Sequence, residues 1–162
     1  MDDLLAIAAQ AAVGPLRVGQ TFSETLRILG SPEHLRFAYD DMFDGTLIYG
    51  PAEVFVRIID NNVSSYLIQL HLFRGSTRRH LQISNGISIL RPRRFELSYD
   101  RVRDAVVEAG ISFETNSLQD REEGMHPLMQ FNDAVRFYFL RFGRHGSLQL
   151  SYIELGDFRG LL

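Results

Sequence analysis

The chain has 162 residues, a formal net charge of −3 and a hydrophobic fraction of 45%. This length and composition are typical of one compact globular unit or of two small repeats. The acidic balance argues against bulk nucleic-acid binding, which usually shows as a basic surplus. Because the chain has neither cysteine nor lysine, disulfides, cysteine nucleophiles, Schiff-base lysines and P-loop lysines are excluded.

The N-terminal stretch, residues 2–12, is Ala-rich and mostly apolar, and it predicts a helix that ends at Gly14-Pro15. Asp2 and Asp3 at its start suit N-cap positions. They also differ from the basic start of a secretory signal. No run in the chain reaches the ~18 apolar residues of a membrane span. We therefore expect a cytosolic protein that does not bind membranes.

The segment Val18–Pro32 contains the most clearly delimited helix. Thr21 is a predicted N-cap, and Glu24 three residues later completes the pattern of a capping box. Gly30 is expected to end the helix, and Pro32 prevents it from resuming. One apolar stripe is predicted on this helix, formed by Phe22, Leu26 and Leu29.

Four strands are predicted after this helix, at residues 35–39, 46–49, 53–59 and 65–73. Alternating apolar residues and β-branched residues indicate the strands. The acidic turn Asp40–Gly45 and Gly50-Pro51 separate the first three. The order αα-ββββ favours helices that cover one face of an antiparallel sheet.

The second half follows a basic crossover at residues 77–94, where Asn85-Gly86 predicts a hairpin between two short apolar runs. Ser98 is a predicted N-cap of a helix that carries Val102 and Val106 and ends at Gly110. A strand is predicted at residues 111–115. After an acidic turn, further strands are predicted at residues 135–142 and 147–155.

Helix, acidic turn and strands thus recur in the same order, and Leu67–Leu70 aligns with Ser147–Leu150 at a spacing of eighty residues. We predict an α+β fold of two tandem αα-ββββ-type repeats that form one antiparallel sheet with helices packed on one face. The first repeat spans residues 1–76, the crossover 77–94 and the second repeat 95–162. One mixed α+β domain without duplication is the alternative.

The pattern of Val18–Pro32, followed by a strand ending at Leu67–Phe73, resembles the repeat unit of the β-lactamase inhibitor protein fold. In that fold two αα-ββββ units lie in tandem and the sheet faces a partner enzyme. The pattern is also similar to the small outer-membrane assembly lipoproteins and to uncharacterised actinobacterial proteins. The inhibitors are secreted and carry disulfides, and the lipoproteins need a lipidated cysteine, which this chain lacks. The resemblance therefore implies a fold and a sheet used for binding, and neither family's activity.

Motifs of catalysis and metal binding are not found in the sequence. The five histidines do not follow a His-Glu-x-x-His spacing, and no Gly-x-Ser-x-Gly, Walker A or dinucleotide-binding pattern occurs. Asp40, Asp41 and Asp44 do not reproduce the spacing of a calcium loop. The arginines around the crossover are interpreted as solvated charges in preference to a phosphate-binding patch. We expect no enzymatic activity, no metal, no cofactor and no nucleic-acid partner.

Strand alternation separates two predicted faces of the sheet. The face under the helices is predicted to carry Tyr66, Ile68, Leu70 and Leu72, with Val54, Val56, Ile58, Val135, Phe137, Phe139, Leu148, Leu150 and Tyr152. The opposite face mixes aromatic, arginine and amide side chains, as the centres of protein interfaces do. The predicted partner-binding residues are Phe55, Arg57, Gln69, His71, Phe73, Arg136, Tyr138, Phe142 and Gln149, with Asp40, Asp41 and Asp44 of the acidic turn.

These patterns favour a protein-binding module, and within that class an immunity or inhibitor protein that neutralises a toxin or an enzyme through the uncovered sheet face. The two acidic turns would suit a basic target such as a nuclease. The sequence leaves two alternatives open. One is a small-ligand-binding α+β protein with a site between the repeats, and the other is a structural homo-oligomer.

Overall fold

The computed structural model describes residues 1–38, 44–59, 61–73, 80–84, 86–120, 124–141 and 147–159. Its helices are α1 (Asp2–Gln10), α2 (Phe22–Leu29), a 3-10 helix (Arg94–Leu97) and α3 (Tyr99–Glu108). The longest of these described helices, α3, has 10 residues, about half of the length that a membrane-crossing helix needs.

Within the described residues, ten strands form two antiparallel sheets. They are β1 (His34–Ala38), β2 (Asp44–Tyr49), β3 (Ala52–Ile59), β4 (Asn62–His71), β5 (His80–Ser84), β6 (Ile87–Leu90), β7 (Glu114–Asp120), β8 (Gly124–Phe131), β9 (Val135–Arg141) and β10 (Leu148–Gly156). The large sheet has the order β1-β2-β3-β4-β10-β9-β8-β7, and β5 and β6 form a separate hairpin. The predicted α+β class with one large antiparallel sheet is confirmed.

Helix α2 begins and ends where the sequence predicts. Thr21 Oγ1 accepts a hydrogen bond from the Glu24 amide at 3.2 Å, and the Glu24 carboxylate accepts one from the Thr21 amide at 2.9 Å. Gly30 ends the helix with φ 78°, a value that glycine adopts without strain. The Tyr49 hydroxyl donates to the Gly30 carbonyl at 3.0 Å, which joins the end of α2 to β2.

Substitution of Thr21 by alanine is expected to lower the free energy of unfolding by about 1 kcal/mol, because the capping box is lost. Ser98→Ala is the matched control. Ser98 is the N-cap residue of α3, but its side chain makes no capping hydrogen bond. We expect less than about 0.5 kcal/mol for the control. Urea denaturation measures both, and equal losses would contradict the predicted role of Thr21.

Helix α1 differs from the prediction at both ends. It is capped by Met1, without a side-chain bond, and ends at Gln10, because Ala11 adopts the left-handed conformation with φ 50°. The predicted Asp caps are therefore wrong, and both aspartates lie inside the first turn. Asp3 instead accepts a hydrogen bond from the Leu90 amide at 2.6 Å, which ties α1 to the β5–β6 hairpin.

Strand β8 is absent from the sequence prediction, and β7 begins at Glu114, three residues after the start of the strand predicted at 111–115. Pro127 lies within β8 and argues against a strand because it lacks an amide hydrogen. The sheet accommodates it because β8 pairs with β9 only from Leu128 onward. The edge strand β7 is polar, so periodicity gives little indication of it.

Helices α2 and α3 pack on the same face of the large sheet. Val102 and Val106 of α3 and Leu29 of α2 belong to one buried cluster with the sheet residues. Phe139 of β9 meets Tyr99 of α3 edge to face, with 5.0 Å between ring centroids. Predicted inward residues that are fully buried in this cluster are Val54, Val56, Ile68, Leu70, Leu72, Val135, Phe137, Phe139 and Leu150.

Two β-bulges correct the predicted face of two tyrosines. Phe55 lies opposite Leu67 and Val56 opposite Ser65, so Tyr66 is an extra residue in β4. Likewise Leu150 and Tyr152 of β10 pair with consecutive residues of β9, so Ser151 is extra. A bulge shifts the alternation by one residue. Tyr66 and Tyr152 therefore lie on the face away from the helices, where the sequence predicts neither.

Ile58 also departs from the prediction. Strand alternation predicts it under the helices, yet 55% of its surface is exposed. Ile58 lies near the end of β3, opposite Val63 of β4, and the buried residues of this face in β3 end at Val56. The predicted sheet face of Ile58 is therefore right, but the apolar core does not extend as far as Ile58.

Candidate functional site

The candidate site lies on the sheet face opposite the helices, which we call the open face. Directly opposed residues of consecutive strands form a polar row across this face. From β3 to β8 the row reads Glu53, Gln69, Glu154, Arg136 and Gln130. Cross-strand neighbours at this spacing interact through their side chains, so the row joins the two four-stranded halves of the sheet.

A group of five interacting side chains lies at the centre of the open face: Gln69, His71, Tyr138, Tyr152 and Glu154. We call it the tyrosine network. The Tyr138 and Tyr152 rings stack with centroids 4.4 Å apart and planes at 11°. His71 lies beside Tyr152 at 6.0 Å between centroids. Gln69 Nε2 donates to Glu154 at 2.6 Å, and the Tyr138 hydroxyl hydrogen-bonds the same carboxylate. Both stacking and hydrogen bonds hold this network rigid.

Tyr138 is more deeply buried than a contact residue of an exposed surface. Only 6% of its surface is accessible. Burial raises the pKa of its hydroxyl well above the usual value, and the nearby Glu154 carboxylate adds to this effect. The hydroxyl therefore stays protonated and donates to Glu154. Tyr138 acts mainly as a support for the network.

Arg136 closes the network on the side of β8. Its Nε donates to Gln130 Oε1 at 3.0 Å, and it hydrogen-bonds the Tyr138 hydroxyl. Its guanidinium carbon lies 4.1 Å from the centroid of the Phe158 ring. The Phe158 amide donates to the Asp133 carbonyl at 2.8 Å, so the chain after β10 turns back over this part of the open face.

His71 is the titratable group of the network near neutral pH. Burial lowers its pKa below the ordinary value of 6.5, and the Glu154 carboxylate partly opposes this shift. Its Nε2 is 4.0 Å from Glu53 Oε2, which is too long for a hydrogen bond. The folded state therefore favours neutral His71.

This shift predicts a loss of stability in mild acid. The unfolded chain protonates His71 at a higher pH than the folded chain, so the free energy of unfolding falls as the pH drops below 6.5. We expect a smaller fall in the His71→Gln variant. Urea denaturation of both proteins at about pH 7.5 and about pH 5 measures the difference. An identical pH dependence would contradict the prediction.

A second group on the open face consists of Phe55 and Arg57 of β3 and Tyr66 of β4, and we call it the Arg57 cluster. The guanidinium carbon of Arg57 lies 3.6 Å from the centroid of the Tyr66 ring. Phe55 meets the same ring edge to face at 6.3 Å. Asp44 at the start of β2 lies directly opposite Arg57 in the sheet register. All four residues are partly exposed.

The remaining predicted site residues lie apart from both groups. Phe73 follows the end of β4, packs against the core, and has the Arg91 and Arg94 guanidinium groups 5.6 and 5.7 Å from its ring. Gln149 Oε1 accepts a hydrogen bond from Arg94 Nε at 2.7 Å.

Three other predicted site residues, Phe142, Asp40 and Asp41, lie outside the described residues.

Sequence reasoning missed Tyr66, Tyr152, Glu154 and Phe158 on this face. Strand alternation predicts the two tyrosines on the wrong face, because a bulge leaves no periodic signal. With the bulge at Ser151 in place, Glu154 shares a face with Tyr152. Phe158 follows the last strand, and no pattern in the sequence indicates that it turns back.

Within the described ranges, no three His, Asp or Glu side chains form a group that could hold a metal ion. A cavity of about 520 Å³ at one end of β7 and β8 includes Glu114 and Asp133 in its lining. The cavity lies toward an edge of the sheet. It is therefore away from the junction of the two halves, which is at β4 and β10.

Comparison with known proteins gives no further indication of function, because no family model, curated protein or solved structure matches this chain.

Proposed function

We propose that this chain is a protein-binding module that uses the open face of its large sheet. Within that class we propose an immunity or inhibitor protein that acts in the cytosol and neutralises a toxin or an enzyme by covering its active site. The observation that carries the proposal is the Arg57 cluster, which places partly exposed arginine, tyrosine and phenylalanine side chains together on the face without helices.

The chemistry and rigidity of this face support the proposal. Tyrosine and arginine dominate the residues that contribute most to protein–protein affinity. The tyrosine network beside the cluster is stacked and hydrogen-bonded, so its side chains lose little freedom on association. The face joins both halves of an eight-stranded sheet and therefore offers a broad, preformed surface.

The test begins with a tagged chain used to capture its partner from the organism that encodes it, and the partner is then purified and its activity assayed. We expect the chain to inhibit that activity. The variant Phe55→Ala/Tyr66→Ala is expected to bind about 100-fold more weakly, because it removes two ring contacts at the centre of the proposed interface. Isothermal titration calorimetry measures the affinities.

Val107→Ala is the matched control, since Val107 is an exposed apolar residue of α3 on the helix side. It should bind as tightly as the unmodified chain. Equal binding by the double variant, with its fold verified by circular dichroism, would contradict the proposed face. A dimer of the pure chain that dissociates in the double variant would instead favour the homo-oligomer.

We also propose that residues 1–76 and 95–162 are duplicated repeats. Three pairs of matching features support this. The N-cap residue Thr21 forms an isolated β-bridge with Ser64, and the N-cap residue Ser98 forms one with Gln149. The bulges lie at positions 66 and 151. Positions 69 and 154 face each other where the halves meet. In each pair the two strand positions are 85 residues apart, whereas the sequence alignment has a spacing of eighty residues. A related chain whose halves do not align at this spacing would contradict the duplication.

The second candidate function is small-ligand binding, which the cavity containing Glu114 and Asp133 favours. Two carboxylates in one cavity would suit a small cationic compound. Amide chemical shifts of residues 112–114 and 130–133 that change on titration with spermidine, and remain unchanged in Glu114→Gln/Asp133→Asn, would support this function. Absence of any shift in the unmodified chain would count against it.

A further inference from the structure

We infer that the Arg57 cluster is the subsite at which the partner protein places a carboxylate side chain. This inference rests on the proposed function, and it names the chemistry of the partner at one position. It starts from the orientation of Arg57 and from the hydrogen-bonding capacity that the fold leaves unused there.

The guanidinium of Arg57 is held in a defined orientation. Its central carbon lies 3.6 Å from the centre of the Tyr66 ring, which is stacking distance. A stacked guanidinium keeps its N–H groups at its edge, parallel to the ring, where they can form a planar fork. Tyr66 is the extra residue of the β4 bulge. The bulge therefore brings the ring to the open face beneath Arg57.

Part of the hydrogen-bonding capacity of Arg57 is not used within the described part of the chain. Its Nε is buried and donates to no acceptor. Asp44, its cross-strand neighbour, is also unbonded at Oδ1. A buried N–H without an acceptor costs free energy. Because Nε is buried and Arg57 is partly exposed, a partner's acceptor would approach the guanidinium at its two terminal nitrogens.

Carboxylate is the side-chain group that best fits this arrangement. It accepts two parallel hydrogen bonds from one guanidinium and carries the opposite charge. The Phe55 and Tyr66 rings flank the position, so apolar neighbours of the acidic residue also find a surface. Asp44 opposes this occupant by its charge. If the partner supplied a cation instead, Asp44 would attract it and Arg57 would repel it, so the two residues distinguish the two occupants.

The experiment uses the full chain and two capped peptides, acetyl-Leu-Glu-Leu-amide and acetyl-Leu-Gln-Leu-amide. The Arg57 Nε–H signal is followed by ¹H–¹⁵N NMR at constant ionic strength. We expect a saturable shift with the Glu peptide and none with the Gln peptide. Arg57→Met should remove the response at the Tyr66 and Phe55 rings, and Asp44→Asn should increase the affinity about 2- to 5-fold.

Equal shifts with both peptides, or no shift with the Glu peptide, would overturn the inference. An equal response to inorganic phosphate would do so too, because it would indicate a general anion site. These outcomes are separate from the failure of the proposed function. Suppose that a captured partner binds Phe55→Ala/Tyr66→Ala more weakly, Arg57→Met normally and Asp44→Asn more weakly. That result would support the binding face and would contradict the proposed carboxylate.

Discussion

Replacement of Phe139 by alanine is expected to lower the free energy of unfolding by about 3–5 kcal/mol. The ring is fully buried and meets Tyr99 of α3 edge to face at 5.0 Å. Its removal would therefore leave a cavity between β9 and α3 and take away one of the contacts that hold the helix on the sheet. A domain of this size has a total stability of about 5–15 kcal/mol, so the variant should be close to unfolding at 37 °C.

Phe95→Ala is the matched control, because it removes the same side chain from a position that is 62% exposed. A change of less than about 0.5 kcal/mol is expected there. Urea denaturation monitored by circular dichroism compares the two variants. If Phe139→Ala cost no more than Phe95→Ala, the packing of α3 on β9 would be wrong.

Tyr138→Ala is expected to be the second most destabilising change, with a loss of about 3 kcal/mol or more. The variant loses the stack on Tyr152 and the hydrogen bond to Glu154. Tyr138→Phe keeps the stack and removes only the hydroxyl, so it should cost about 1–2 kcal/mol. Denaturation curves of the unmodified chain, Tyr138→Ala and Tyr138→Phe separate the contribution of the ring to stability from that of the hydroxyl.

This prediction determines how binding on the open face can be tested. The sequence suggests Tyr138 as a contact residue, but a substitution there would mix a loss of folding with a loss of binding. Phe55 and Tyr66 are more exposed, so their variants report on contact with a partner more directly. A Tyr138→Ala protein as stable as Tyr138→Phe would show that the tyrosine network contributes little to the fold.

Local patterns in the sequence determined both ends of α2 and most of the strands. The capping box of Thr21 and Glu24 and the glycine at position 30 act within one helical turn, so their effect is independent of the rest of the chain. The alternation in residues 53–59 and 135–142 likewise predicted β3 and β9, because the period of two depends only on the strand backbone. The same alternation brought Phe55 and Arg57 to one face.

Only the tertiary structure decided which tyrosines reach the open face and how the sheet accommodates β8. The bulges at Tyr66 and Ser151 arise where one strand must match another in register, and this match involves residues distant in sequence. Pro127 is tolerated because of where pairing with β9 begins. The tyrosine network and the Arg57 cluster both depend on these pairings, since cross-strand contacts join positions whose proximity no local pattern encodes.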